Sequence, residues 1–131
     1  MLGCNKGEDV VEINGEASGA QIVPIPVTTT ASARLTGVYN EVSGMFSYRV
    51  LWDNLSDTIT RINFRGPSDA GSTGTVVVEV SIPFKRDSGS IAGFTILQDA
   101  IASYLTSGKL YLLVQSKAYA NGELRGQMLV Q

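Results

Sequence analysis

The chain has no histidine and a single cysteine, Cys4, in 131 residues. The first absence removes imidazole-based acid–base catalysis, the Ser-His-Asp triad and histidine-ligated zinc or copper. The second removes any internal disulfide. Long apolar runs are missing too: nothing reaches the roughly 18 consecutive apolar residues of a membrane-spanning helix. Basic clusters are equally scarce. The ten Lys and Arg residues are scattered, Lys85-Arg86 is followed at once by Asp87, and the net charge is −2. A phosphate-binding surface needs a positive field, so nucleic acid is not an expected partner.

What is present is a globular composition, 44% hydrophobic and 17% charged. A chain of this length forms one domain and buries roughly two thirds of its unfolded surface, enough for a core without metal or disulfide. The expected division is a tether over residues 1–9 and one β domain over 10–131. Helical periodicity is nearly absent, while period-two alternation punctuated by Gly, Pro, Asn and Asp recurs throughout.

Val10–Ile13 reads as a short strand ended by Asn14-Gly15, and residues 17–23 as a possible second strand before Pro24 and Pro26. Strands are then expected over 31–39, 45–53, 58–65, 75–82 and 110–116. In the clearest of them Phe46, Tyr48, Val50 and Trp52 share a core face. Residues 83–94 read as irregular. One helix is expected within 96–106, with Asp99 as a possible cap and Gly108 as its end.

The last ten residues carry the strongest signal. After a turn at Asn121-Gly122, Leu124, Met128 and Val130 alternate with Glu123, Arg125 and Gln127, as in a half-buried strand. A carboxylate and a guanidinium two residues apart, between Gly122 and Gly126, suggest a specified polar cluster against close-packed backbone.

Three segments, in order, resemble the chordin-type (CHRD) domain family. The first is Gly19-Ala20-Gln21-Ile22-Val23-Pro24-Ile25-Pro26-Val27, with Thr30–Gly37 following at the usual distance. The second is Asn63-Phe64-Arg65-Gly66-Pro67-Ser68, and the third runs from Leu110–Ser116 through Asn121-Gly122-Glu123-Leu124-Arg125-Gly126-Gln127. Together they span about residues 17–131. Relatives commonly carry histidines where this chain has Asn63, Arg65 and Gln115, an asparagine at Leu113, and a glutamate at Ile22. Any histidine-based metal binding or titration is therefore not expected here, and neither a metal nor a cofactor is assigned.

The fold expected is an all-β antiparallel Greek-key sandwich or barrel, immunoglobulin-like or superoxide-dismutase-like in outline, with one short helix. The candidate site is the polar cluster Asn63, Arg65, Gln115, Glu123, Arg125 and Gln127. In its first reading, Glu123 accepts hydrogen bonds from Arg65 or Arg125, while Gln115 and Asn63 satisfy the remaining donors and the group fixes strand register. Ligand binding is the alternative. Asp53, Asp57, Asp69 and Asp87 read as turn formers rather than calcium ligands, because no Asp-x-Asp spacing occurs.

Leu2-Gly3-Cys4 before a polar stretch resembles the end of a bacterial lipoprotein signal, in which the cysteine becomes the lipidated residue; the other reading is an unmodified cysteine in a tail. The resemblance to chordin domains, found in a secreted growth-factor antagonist, implies interaction more than chemistry. The leading expectation is a non-enzymatic extracytoplasmic module of the bacterial cell envelope, lipid-anchored through Cys4, that contacts an unidentified protein or polysaccharide. The alternatives are a carboxylate-dependent hydrolase acting on extracellular polymers and a purely structural spacer.

Overall fold

The computed structural model describes residues 9–131. Cys4 and most of the expected tether lie outside the described residues. Nine strands and one helix follow in order: β1 Val10–Ala17, β2 Ser32–Asn40, β3 Met45–Asp53, β4 Ile59–Gly66, β5 Thr75–Val80, β6 Gly89–Ile96, α1 Asp99–Thr106, β7 Tyr111–Ser116, β8 Leu124–Gln127 and β9 Leu129–Val130. Two antiparallel sheets result, ordered β6-β3-β2-β1-β9 and β5-β4-β7-β8. The architecture is the expected all-β sandwich with a short helix.

Local chemistry explains the turns. Asn40 ends β2 because its Oδ1 accepts from the backbone N–H groups of Val42 and Ser43, and Gly44 supplies the positive φ that returns the chain into β3. Alternation then sorts the faces. Ile13, Leu35, Phe46, Val50 and Trp52 of the larger sheet pack against Ile62, Phe64, Leu112, Val114 and Leu124 of the smaller one. The rings of Phe46, Tyr48 and Phe64 meet at 5.1–5.9 Å between centroids, with Phe64 edge-on to both of the others, a packing favoured by the ring quadrupoles. Leu105 and Ala102 of α1 turn one helical face into the same core.

Several boundaries differ from the sequence reading. β1 runs straight through Asn14-Gly15, and a Cβ at Gly15 would stand 3.0 Å from the Gln127 carbonyl oxygen, so glycine lets β1 lie close to that backbone. Residues 17–23 form no second strand; Gly19–Gln21 makes a 3-10 turn instead. The stretch read as irregular, 83–94, holds most of β6, which runs on to Ile96, a residue expected in the helix, and pairs with β3 over its full length. Its two glycines weakened the strand signal, yet a Cβ at Gly93 would stand 2.8 Å from the Tyr48 hydroxyl oxygen, so only glycine fits without displacement. Helix α1 begins at Asp99, and the cap position is Gln98, without a side-chain hydrogen bond.

The carboxyl-terminal segment is also not one strand. β8 pairs with β7 in the smaller sheet, and after Met128 the chain crosses to the larger sheet, where β9 pairs with β1. Leu124 and Met128 are fully buried as expected, whereas Val130, expected beside them, lies exposed on the far side of that crossing. One edge of the sandwich is closed by this crossing and by a backbone bridge between Ser18 and Arg125, at 3.0 and 3.1 Å. Gly126 permits it: a Cβ there would stand 2.3 Å from the Glu16 carbonyl oxygen.

Candidate functional site

The six polar residues expected to form one cluster divide into three groups along the smaller sheet. Glu123 is the first. It is fully buried, and Gly122, with φ +130°, turns it toward the loops at one end of the sandwich. Its Oε2 accepts from the Thr29 hydroxyl at 2.6 Å and the Ser56 hydroxyl at 2.8 Å, and its Oε1 from the Ser116 hydroxyl at 2.7 Å. The Ser56 backbone N–H reaches both oxygens at 3.1 and 3.0 Å. The carboxylate thus ties together the segment before β2, the β3–β4 loop and the end of β7.

Neither Arg65 nor Arg125 donates to it, which corrects the expected pairing. Their side chains lie on the outer face of the sheet, while Glu123 is drawn to its end by hydroxyls. Burial alone pushes the Glu123 pKa up. Hydrogen bonds from Thr29, Ser116 and Ser56 outweigh that effect and hold the carboxyl below its ordinary value.

The second group is a short relay of hydrogen bonds. Arg65 Nε donates to Asn63 Oδ1 at 2.8 Å, Asn63 Nδ2 donates to Gln115 Oε1 at 3.0 Å, and Gln115 Nε2 donates to the Ala120 carbonyl at 2.6 Å. Asn63 and Gln115 are buried, Arg65 half-buried. Gln115 is therefore next to Asn63 and reaches Arg65 through it.

Arg125 and Gln127 form the third group. The Arg125 guanidinium lies 3.7 Å above the Tyr111 ring and donates to the Asp69 carbonyl at 3.0 Å and Gln127 Oε1 at 3.2 Å. Gln127 Nε2 donates to the carbonyls of Ser68 at 3.1 Å and Gly108 at 3.0 Å. Burial pulls the Arg125 pKa down, partly opposed by Tyr111, yet a guanidinium stays charged. Together they strap the 66–74 loop onto the sheet. Ser68 N–H to the Lys109 carbonyl and the Lys109–Asp69 ion pair hold the same loop from its other side.

Three residues that complete the first group escape a sequence reading: Thr29, Ser56 and Ser116. Ser56 sits in a turn where serine is ordinary, and Thr29 in a Thr-rich stretch. Ser116 alone left a trace, as a hydroxyl on the face of β7 that otherwise carries Leu112 and Val114. The turn aspartates stay apart, and among the described residues no three Cys, Asp or Glu side chains gather as a metal site. Among the described residues no helix is long and apolar enough to cross a membrane.

The outer face of the larger sheet is different in kind. Val38, Leu51, Phe94 and Ile96 stand exposed on it among Glu12, Glu16, Arg34 and Arg49. At one end a groove of about 450 Å³ is lined by Glu16, Arg34, Trp52, Asp53 and Ser88. Glu16 pairs there with Arg34 at 3.5 Å, and Asp53 accepts from Ser88 at 2.8 Å.

Comparison with curated proteins and with solved structures returns no match. The family model described as the CHRD domain matches residues 13–128, from the middle of β1 to the crossing after β8, and takes in all three polar groups. With nearly the whole sandwich covered by that match, the chain belongs to the CHRD domain family.

Proposed function

We propose that this chain is a non-enzymatic interaction module of the bacterial cell envelope, held outside the cytoplasm by lipid on Cys4, with the outer face of its larger sheet contacting a protein. The observation that carries the reading is the exposure of Val38, Leu51, Phe94 and Ile96 on one face, interspersed with charges of both signs. Apolar side chains ringed by polar ones are the composition of a protein-contact surface. The polar cluster supports the same reading from the other direction. Its buried groups are engaged by the protein itself, so its first role is architecture.

The test is cross-linking of the full chain in native membranes, followed by mass spectrometry of Cys4 and of captured protein. Wild type should carry lipid on Cys4 and capture a partner that a Val38→Lys, Leu51→Lys variant loses while remaining folded. Capture of polysaccharide would reassign the partner class, and capture of nothing would favour a spacer. A second reading, a carboxylate-dependent hydrolase of extracellular polymers, rests on the groove that Glu16 and Asp53 both line. Turnover abolished by Glu16→Gln or Asp53→Asn would establish it.

A further inference from the structure

Sheet edges expose unpaired backbone donors and acceptors, and folded proteins normally defend them with shortness, charge, proline, bulges or cover. Three of the four edges here are defended. β9 is two residues long. β8 is bridged to the chain after β1 through Ser18–Arg125. β5 has a register shift on β4 and carries Glu79, paired with Arg61.

Among the described residues β6 has none of these devices. It is eight residues long, Gly89-Ser90-Ile91-Ala92-Gly93-Phe94-Thr95-Ile96, with no charge and no proline, and its one ladder is to β3. Phe94 and Ile96 are 68% and 60% exposed on its outer face. Beside it lies a cleft of about 350 Å³, lined by Tyr48, Val78, Val80, Ile91 and Phe94, that separates β6 from β5.

We propose that β6 is a self-association edge, pairing antiparallel with β6 of a second copy about a two-fold axis to join two five-stranded sheets into one. The inference rests on the interaction-module reading and names a second copy as one partner. Identity of the two strands makes the contact self-complementary, so it closes at a dimer. Antiparallel registers that keep the outer face continuous set Phe94 opposite another outer-face residue of the copy, and those that set it opposite Ala92, Phe94 or Ile96 add cross-strand apolar contact to the new ladder.

Charge selects the direction. Exposed Lys85, Arg86 and Asp87 precede β6 and leave that flank net positive, while exposed Asp99 follows the strand. Antiparallel pairing brings the basic flank of one copy toward the acidic flank of the other, whereas parallel pairing would set like charges together. A single strand and two apolar side chains cover less than the roughly 800 Å² per partner of a standard stable interface, so the dimer forms at high local concentration and dissociates on dilution.

Sedimentation velocity of the full chain from about 1 μM to about 1 mM tests this. Wild type should pass from the monomer to twice its mass. Phe94→Lys should stay monomeric throughout with unchanged circular dichroism and melting temperature, because Phe94 is exposed in the monomer. A wild type that remains monomeric at the highest concentration overturns the proposal, as does a dimer that survives both Phe94→Lys and Ile96→Lys. A monomeric wild type that still captures a foreign protein through Val38 and Leu51 would overturn self-association and leave the interaction-module reading intact.

Discussion

Glu123 accepts the Ser56 backbone N–H on both carboxylate oxygens, at 3.1 and 3.0 Å, and the Ser56 hydroxyl on one of them at 2.8 Å. A residue of the β3–β4 loop is thereby fastened to the residue just before β8, late in the chain. The carboxylate is buried, and hydroxyls and an amide stabilise its charge where a cation was expected. Burial of a charge is tolerated only when such bonds replace its hydration.

The bond should behave as a structural tie. Hydrogen bonds to a charged group contribute about 1.5–3 kcal/mol each, so Glu123→Ala should lower unfolding free energy by about 3 kcal/mol or more. Ser56→Ala, which keeps the backbone N–H, should cost about 1–2 kcal/mol. The double variant should lose less than the sum of the two, as chemical denaturation of all four proteins would reveal. Strict additivity would mean that the two groups do not act on each other.

Arg125 over Tyr111 makes a second prediction. A stacked guanidinium with two directed hydrogen bonds is not replaceable by an ammonium. Arg125→Lys should cost about 1–2 kcal/mol, and the 66–74 loop should become more susceptible to limited proteolysis. Equal cleavage rates in wild type and variant would remove the loop strap from the account.

Gly126 faces the Glu16 carbonyl so closely that any side chain must push β1 away. Gly126→Ala should therefore destabilise by about 3 kcal/mol or more, or prevent folding. Gly71, which has open space where a Cβ would stand but a positive φ, should lose about 1–2 kcal/mol on the same change. The contrast in melting temperature between the two variants separates close packing from backbone strain.

Exposed positions should show the opposite pattern. Val38→Lys and Leu51→Lys should leave thermal stability nearly unchanged while abolishing partner capture from native membranes. Loss of stability without loss of capture would place the contact elsewhere.

Much of this was legible in the residues because alternation reports burial directly. Phe46, Val50 and Trp52 declare a core face without any structure, and the Gly122–Gln127 motif identified the family. The sheet switch at Met128 was not legible, since a crossing strand keeps its alternation through the residue where it changes partner. β6 was hidden by Gly89 and Gly93, which a local reading scores against a strand; Gly93 is there to admit Tyr48. The partners of Glu123 were hidden for a different reason. Thr29, Ser56 and Ser116 lie in three separate parts of the chain, and only the closed sandwich brings their hydroxyls to one carboxylate.

The central claim, that the polar cluster is architecture, is tested most directly by comparing unfolding free energies of wild type and Glu123→Gln from neutral to acid pH. Because the folded carboxyl titrates below its unfolded value, its contribution is complete above the unfolded pKa, about 4.3, and is lost as pH falls through the lower folded pKa. Wild type should exceed the glutamine variant by about 1.5–3 kcal/mol at pH 7, with the gap closing in acid as the two side chains become nearly isosteric and equally neutral. Equal stability of the two proteins at pH 7 would contradict the account.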